Sequence, residues 1–363
     1  MKTLKLIVIS WKGCCMDILF ASDDNYVPFL GVAITSLIKN NQNDFDNINI
    51  YILDDGITSE NKKRLEALIT NPNHVLNFIK TKNLKDLGVN MVGLNRNLNM
   101  DSFTTYSRLF IANLLPEDID KVIYLDCDAL IVDSFKELWN MNIDEYYCGA
   151  VLDGINTAIK NRLGFKLEDT YINAGFLLIN LKKWRENNVE EKFINFMAEN
   201  QNRFYQHDKG ILNNVFKDQF LILNPKYNLQ IYFQTLDYDL ARKYTGMKGE
   251  YYSNEIINQA RENPTFLHFC GPNYDRPWYN KDHPYRELYK QYCEIAGFKD
   301  EIFEEVDVLP LKAKLFYKSM DNPFIKFGLK IIPTFLVHKI LSKNALAGFE
   351  EDEAKVKQLG GKI

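Results

Sequence analysis

The chain is poor in the features that would settle its class quickly. Its six cysteines, at 14, 15, 127, 148, 270 and 293 of 363 residues, form no C-x-x-C pair and lack the regular spacing of a secreted disulfide framework. They read as reduced, cytosolic thiols. Apolar runs stop short of the ~20 residues that cross a bilayer, which excludes a transmembrane anchor. Neither G-x-G-x-x-G nor G-x-x-x-x-G-K-[ST] occurs, and dinucleotide and P-loop sites both need a glycine-rich turn for backbone contact with phosphate. No one sign of charge dominates: 44 basic against 48 acidic residues leave a net charge of -4, which excludes a disordered polyanion and a basic nucleic-acid coat, so no nucleic-acid partner is expected.

Apolar residues make up 46% of the chain and aromatics 13%, enough for a large core at this length. From Met16 to about residue 150, short apolar runs alternate with helical stretches, the pattern of an α/β fold with strands feeding crossover helices in a mostly parallel sheet. Residues 17–22 (DILFAS), 48–56 and 75–80 read as strands. Residues 27–41 read as a helix, and so do 59–70, with Ser59 as cap. The helix around Arg108 leads to KVIYLDCDALIVDSF, in which a four-residue apolar run meets two acids. CGAVLD (148–153) reads as a strand, YINAGFLLINLKKWR as a strand passing into a helix near Lys182, and 186–216 as helical. PTFLHFCGPNYDRPWYN (264–280) is a short strand followed by a Gly/Pro loop, and 283–297 is helical.

Both ends have a different character. Residues 1–15 weakly resemble a signal peptide, yet Trp11, Lys12 and Gly13 give neither a long apolar core nor small residues for cleavage; they read as a short leader, or as sequence ahead of a start at Met16. Between Leu311 and Lys343, seven lysines meet one acid, Asp321, among Phe316, Tyr317, Phe324, Phe327 and Phe335. Such a basic amphipathic segment suits an anionic membrane interface at roughly 1 kcal/mol per lysine near the surface, and it equally suits a helix packed on the domain with solvated lysines. Pro323 and Pro333 divide it. An acidic tail follows.

The chemistry is expected at the acid pair. In a strand, residues two apart share a face, so Asp126 and Asp128 project together while Cys127 points away, and both carboxylates can meet one hard divalent ion. D-x-D also arises as a turn with solvated acids, but apolar runs on both sides press these acids toward a core edge, where like charges need a compensating cation. His268, in FLHFCGP, suits the nitrogen ligand of the same ion, or a satisfied core histidine. Arg276 suits a diphosphate clamp, or a surface cation. Asp23 and Asn25, just past the first strand, suit a base or ribose, or the cap of the following helix.

Taken in order, FASDDNY, TTYSRL, YLDCDALIV, YINAGFLLINLKKWR, HDKGILNNVF and HFCGP followed by RPW resemble glycosyltransferase family 8, the retaining transferases that include bacterial lipopolysaccharide galactosyl- and glucosyltransferases and, more distantly, glycogenin. The resemblance spans residues 16–285. It implies a GT-A-type nucleotide-diphospho-sugar transferase fold, a Rossmann-like mixed sheet flanked by helices, with a small helical C-terminal extension over 286–345 and a tail over 346–363. It implies Mn, with Mg as alternative, held by Asp126, Asp128 and His268. Ala21, Asp23, Asn25 and Tyr26 would form a uridine pocket, and Arg108 would reach the donor sugar and diphosphate. Asp153, Asn173, Ala174 and Asp208 would line the sugar's hydroxyls, with Asp208, Lys209 and Asp153 as the catalytic set. Gly271 and Arg276 would face the diphosphate.

The sequence departs from the family pattern in two places. Lys209 stands where a glutamine is usual, and an ammonium beside an oxocarbenium-like centre opposes the charge there unless it turns away or holds phosphate or acceptor. Asn273, Tyr274 and Asp275 lengthen the loop before Arg276, which itself replaces a lysine. The expected activity is transfer of glucose or galactose from UDP-glucose or UDP-galactose to a glycan or glycolipid acceptor in bacterial surface polysaccharide synthesis. The enzyme would be cytoplasmic and peripheral, held at the inner leaflet by the basic C-terminus. A protein that binds a nucleotide sugar without transferring it is the alternative that Lys209 suggests. A nucleotidyltransferase would share the fold and acid pair but carry a glycine-rich N-terminal loop, which is absent. Donor sugar, acceptor, linkage and oligomeric state stay open.

Overall fold

The computed structural model describes residues 15–81, 104–200, 206–249, 251–271 and 275–303. The expectations for 1–14, for 304–345, for the tail and for Asn273 and Tyr274 lie outside these residues.

Ten strands are described: β1 Cys15–Ser22, β2 Asn47–Asp54, β3 Val75–Lys80, β4 Lys121–Leu125, β5 Ala129–Ile131, β6 Cys148–Leu152, β7 Ile172–Asn180, β8 Phe220–Ile222, β9 Leu229–Gln230 and β10 Phe266–His268. Seven form one sheet in the order β3-β2-β1-β4-β7-β6-β8, and β5-β10-β9 form a second, smaller one. β1, β2, β3 and β4 run parallel, joined by crossover segments, while β7 runs antiparallel to both β4 and β6. The large sheet is thus mixed and Rossmann-like, as expected. Near-continuous apolar strands such as β7, buried at every residue, follow from helices covering both faces.

Three local expectations need correction. The helix expected over 59–70 spans Ser59–Glu66, and its cap is Thr58, whose side chain accepts from Asn61 N–H; Ser59 is already inside. The helical stretch expected over 186–216 contains two helices, Val189–Glu199 and His207–Val215. Asp126 and Asp128 do not alternate along a strand: β4 ends at Leu125 and β5 begins at Ala129, so both acids lie in the bend between the two sheets.

Helix Val27–Asn41 buries Val27, Leu30, Ala33, Ile34 and Leu37 against the sheet. Helix Arg286–Ala296 packs behind it, burying Tyr289, Tyr292 and Cys293 in the same core. A Cβ on Gly31 would stand 2.2 Å from the ring of Phe298, so the bare glycine admits that ring against the helix. The same core runs on through Ala296, Phe298 and Ile302. Among the described residues, no helix is long and apolar enough to cross a membrane.

Candidate active site

The site lies where the two sheets meet. Leu125 is the last β4 residue paired with β7, and Asp126 N–H then donates to Gly175 O at 2.9 Å, fixing the first acid beside β7. Phe269 N–H donates to Asp128 O at 2.9 Å, and His268 pairs with Ala129, so β10 brings its histidine back against the second acid. Residues some 140 positions apart in sequence thereby converge. Ligand atoms of Asp126, Asp128 and His268 lie within 4.8 Å of one another. His268 Nε2 stands 3.6 Å from Asp126 Oδ2 and 3.5 Å from Asp128 Oδ1, and this buried nitrogen has no hydrogen-bond partner among the described residues.

These three groups fit a divalent cation. Two carboxylates and an imidazole supply hard oxygen and borderline nitrogen donors, and their approach requires a glycine beside them: a Cβ on Gly175 would meet His268 Cε1 at 2.1 Å and Asp126 Oδ2 at 2.7 Å. The imidazole is oriented from behind, with Nδ1 at 2.9 Å from Asn228 Oδ1. Around the acid pair, Asp126, Asp128, Asp153 and Asp208 are met by Arg108, Arg276 and Lys209, and His268 faces both Asp126 and Asp128.

Arg108 is buried, and its guanidinium faces two carboxylates and a carbonyl, although among the described residues Nε and Asp208 Oδ2 make no hydrogen bond. Nη2 lies 2.9 Å from Asp126 Oδ1, Nε lies 3.1 Å from Asp208 Oδ2, and Nη1 donates to Ala174 O at 2.8 Å. The guanidinium also stacks 4.1 Å above the Tyr124 ring, whose hydroxyl donates to Asp126 Oδ1. Burial alone would neutralise Asp126, but Arg108 and His268 hold its carboxyl below the usual range. Burial prevails at Asp208, whose pKa is raised despite Arg108. For Asp128, burial is outweighed by His268 and by Arg276, whose Nη2 is 3.1 Å away, and its pKa is lowered.

Lys209 turns aside. Its ammonium lies 2.8 Å from Asp153 Oδ2, the oxygen that also accepts from Asn173 Nδ2 at 2.9 Å. The lysine's charge is thus met by a carboxylate in the site, which answers the objection to a bare ammonium there.

A cavity of about 440 Å³ opens over the acid pair. Of the residues expected in the site, Ala21, Asp23, Tyr26, Arg108, Asp126, Asp128, Asn173, Ala174, Asp208, Lys209 and His268 are on its wall. Asn25, Asp153, Gly271 and Arg276 are not. Asp153 stands behind Asn173 and Lys209, Arg276 is against Asp128, and Asn25 sits in the turn Asp24–Tyr26 that Asp23 caps through Tyr26 N–H at 3.0 Å. Asp23 thus serves as a cap, the other role its sequence position suggested, while still facing the cavity. Gly271 has φ +124°, a conformation only glycine adopts readily. Sequence reasoning missed Thr104, Thr105, Tyr124, Gly175, Gln206, His207 and Cys270 on the wall, and Cys127, expected to point away from the acids, lines it too. Gln206 and His207 share left-handed backbone, φ 65° and 52°, at the start of the helix carrying Asp208, which no residue-type signal announces.

The comparisons with known proteins agree with this architecture. The description Glycosyl transferase family 8 matches residues 17–282. The chain belongs to glycosyl transferase family 8. It is therefore a glycosyltransferase. It is 33% identical to General stress protein A of Bacillus subtilis over 293 residues, 78% of this chain and 95% of that protein. It is 26% identical to the lipopolysaccharide 1,3-galactosyltransferase of Salmonella typhimurium over 273 residues, 73% of each. Among solved structures, the galactosyltransferase LgtC in complex with donor and acceptor sugar analogs is 28% identical with a TM-score of 0.60, covering 82% of this chain and 99% of that one. The fold is that of the GT-A glycosyltransferases, LgtC among them.

Proposed function

We propose that this glycosyltransferase is metal-dependent and retaining, and moves glucose or galactose from a UDP-sugar to a glycan or glycolipid acceptor in bacterial cell-surface synthesis. The observation that carries the reading is the convergence of Asp126, Asp128 and His268 at the floor of a cavity whose other walls hold Arg108, Asn173 and Asp208. The relatives support it: LgtC is crystallised with donor and acceptor sugar analogs, and other relatives are named lipopolysaccharide galactosyl- and glucosyltransferases.

Asp126, Asp128 and His268 would hold Mn, or Mg. When bound, the ion supplies positive charge opposite the departing diphosphate. The remaining work falls to the chain itself. Ala21, Asp23 and Tyr26 on the wall, with Asn25 in the turn beside them, would bind the uridine, and Arg276, which reaches in from behind Asp128, and Gly271 would face the diphosphate, where a fixed guanidinium stabilises developing negative charge. Arg108 braces Asp126 and Asp208 in one geometry, so little reorganisation is needed as charge moves. Asp153, Asn173, Ala174 and Asp208 orient the sugar. Asp153 is engaged by Lys209 and Asn173, and Asp208 by Arg108, so neither stands as an uncommitted nucleophile. That supports front-face attack, with the departing phosphate taking the acceptor's proton, over a covalent glycosyl-enzyme.

A panel of UDP-sugars with Mn, scored by UDP release and by the anomeric configuration of the product, tests the reading. Release from UDP-glucose or UDP-galactose, abolished by Asp128→Asn, is expected. Tight UDP binding with no release from any donor would instead make the chain a nucleotide-sugar-binding protein. The basic segment 311–343 would hold the enzyme at the inner leaflet of the cytoplasmic membrane, near lipid-linked acceptors.

A further inference from the structure

Behind the cavity, a line of amides fixes the identity of each atom in turn. Gly175 N–H, which can only donate, points at one atom of the Asn173 amide at 3.0 Å, so that atom is Oδ1. The other end faces Asp153 Oδ2 at 2.9 Å, an acceptor, so it is Nδ2. A backbone donor and a carboxylate thus set Asn173 from both sides. The Asn228 atom 2.9 Å from Asn173 Oδ1 must then be Nδ2, which turns Asn228 Oδ1 toward His268 Nδ1 at 2.9 Å. An amide oxygen only accepts, so Nδ1 carries a hydrogen and Nε2 is the atom left to face Asp126 and Asp128. Asn228 is 1% exposed and His268 2%, so protein groups alone set this order.

We propose that Asn228 is a positioning residue shared by both halves of the active site. Its carbonyl accepts from His268 Nδ1–H, which leaves Nε2 as the nitrogen available to an ion at the acid pair, and its NH2 holds Asn173 and, through it, Asp153. A metal ligand and the sugar-side carboxylate are thereby fixed by one buried side chain, which comes from the turn Pro225–Asn228 just before β9. The proposal rests on the reading of Asp126, Asp128 and His268 as a metal centre.

The test uses Mn2+ binding followed by electron paramagnetic resonance, which reads both affinity and the nitrogen coupling of a bound imidazole without any turnover. Asn228→Leu removes both hydrogen bonds at similar volume; Mn2+ affinity is expected to fall about 10- to 100-fold and the nitrogen coupling to vanish. Asn228→Asp keeps an acceptor for Nδ1 but sets a second oxygen against Asn173 Oδ1. Its Mn2+ affinity is expected to stay within about threefold of wild type, while KM for the sugar donor rises about tenfold, by loss of one oriented contact. Equal loss of Mn2+ affinity in both variants, or wild-type affinity and coupling in Asn228→Leu, overturns the proposal. A measurement on the wild-type chain needs no variant to fold: with diamagnetic Cd2+ bound, 15N-labelled His268 should carry its proton on Nδ1, and a proton on Nε2 overturns the proposal. Failure of the underlying reading looks different. Wild-type protein would then show no nitrogen coupling, or His268→Ala would bind Mn2+ as tightly as wild type.

Discussion

A Cβ built on Gly175 would lie 2.1 Å from His268 Cε1 and 2.7 Å from Asp126 Oδ2, both inside van der Waals contact, and neither neighbour has room to retreat. His268 is held by Asn228 from one side and Asp126 by Arg108 from the other. Gly175→Ala is therefore expected to separate the two ligands, lowering Mn affinity by about 10- to 100-fold, while overpacking costs about 1–3 kcal/mol of stability. Metal titration alongside thermal melting checks this; unchanged affinity would mean the strand yields more than its packing suggests. The acids were legible at this scale because D-x-D between apolar runs is a local pattern, and His268 was legible as a polar residue among aromatics. Gly175 and Asn228 were not. A glycine inside a strand and an asparagine in a turn acquire their roles only from partners 93 and 40 positions away, His268 in each case. The direction of Lys209 was equally hidden, since nothing in H-D-K-G announces a carboxylate 56 residues upstream.

The loop and helix after β10 show what an element contributes. Trp278 packs between Phe29, Phe269 and Tyr289, with ring centroids at 4.8, 5.9 and 5.1 Å, and so ties the segment carrying Arg276 to the helix Val27–Asn41. His283 anchors the same segment. It is buried edge-on against Phe269, and its Nδ1 accepts from Tyr285 N–H at 3.1 Å. Burial, reinforced by Arg286, lowers its pKa to about 4. The unfolded chain therefore binds more protons than the native one from about pH 6.5 down to pH 4, and stability is lost as pH falls through that window, by about 3 kcal/mol at its lower end. Asp275 has the opposite sign. Burial raises its pKa to about 7, so its contribution is present at low pH and fades as pH rises through 7. The two partly cancel in wild type, so the difference between wild type and His283→Gln isolates the histidine: the variant's melting temperature should gain on wild type as pH drops from 7 to 4. A constant offset across that range would show that His283 is not kept neutral by burial. Sequence pattern located the main strands and the helix after this loop, because each carries its own apolar periodicity. It passed over 217–263, where β8 and β9 are three and two residues long and exist through pairing with β6 and β10.

At the scale of the whole molecule, the chain divides by chemistry as well as by packing. The described body closes with helices Arg286–Ala296 and Lys299–Phe303, which are fastened to the start of the fold: Phe298 sits over Gly31, Arg64 stacks on Phe298 at 4.2 Å, and Arg64 pairs with Glu301. A cut before residue 303 would strip buried side chains from the core, whereas a cut after about residue 305 leaves in place every buried side chain of the described residues. That cut removes the segment with seven lysines and one acid, a net charge of +6, from a chain whose total is -4. The same cut removes Asp307 and the acidic tail, so residues 306–363 take away ten lysines and six acids and the truncated protein carries a net charge of -8. If the segment is a membrane anchor, full-length protein should sediment with phosphatidylserine vesicles at low salt. Its binding should weaken steeply as ionic strength rises, because each lysine contributes about 1 kcal/mol that salt screens. The truncated protein should stay in the supernatant at every salt concentration and still release UDP from its donor. The competing outcome is equally readable. If the lysines are the solvated face of a helix packed on the body, truncation lowers the melting temperature and leaves vesicle binding unchanged, and the inner leaflet then plays no part in how this transferase meets its acceptor.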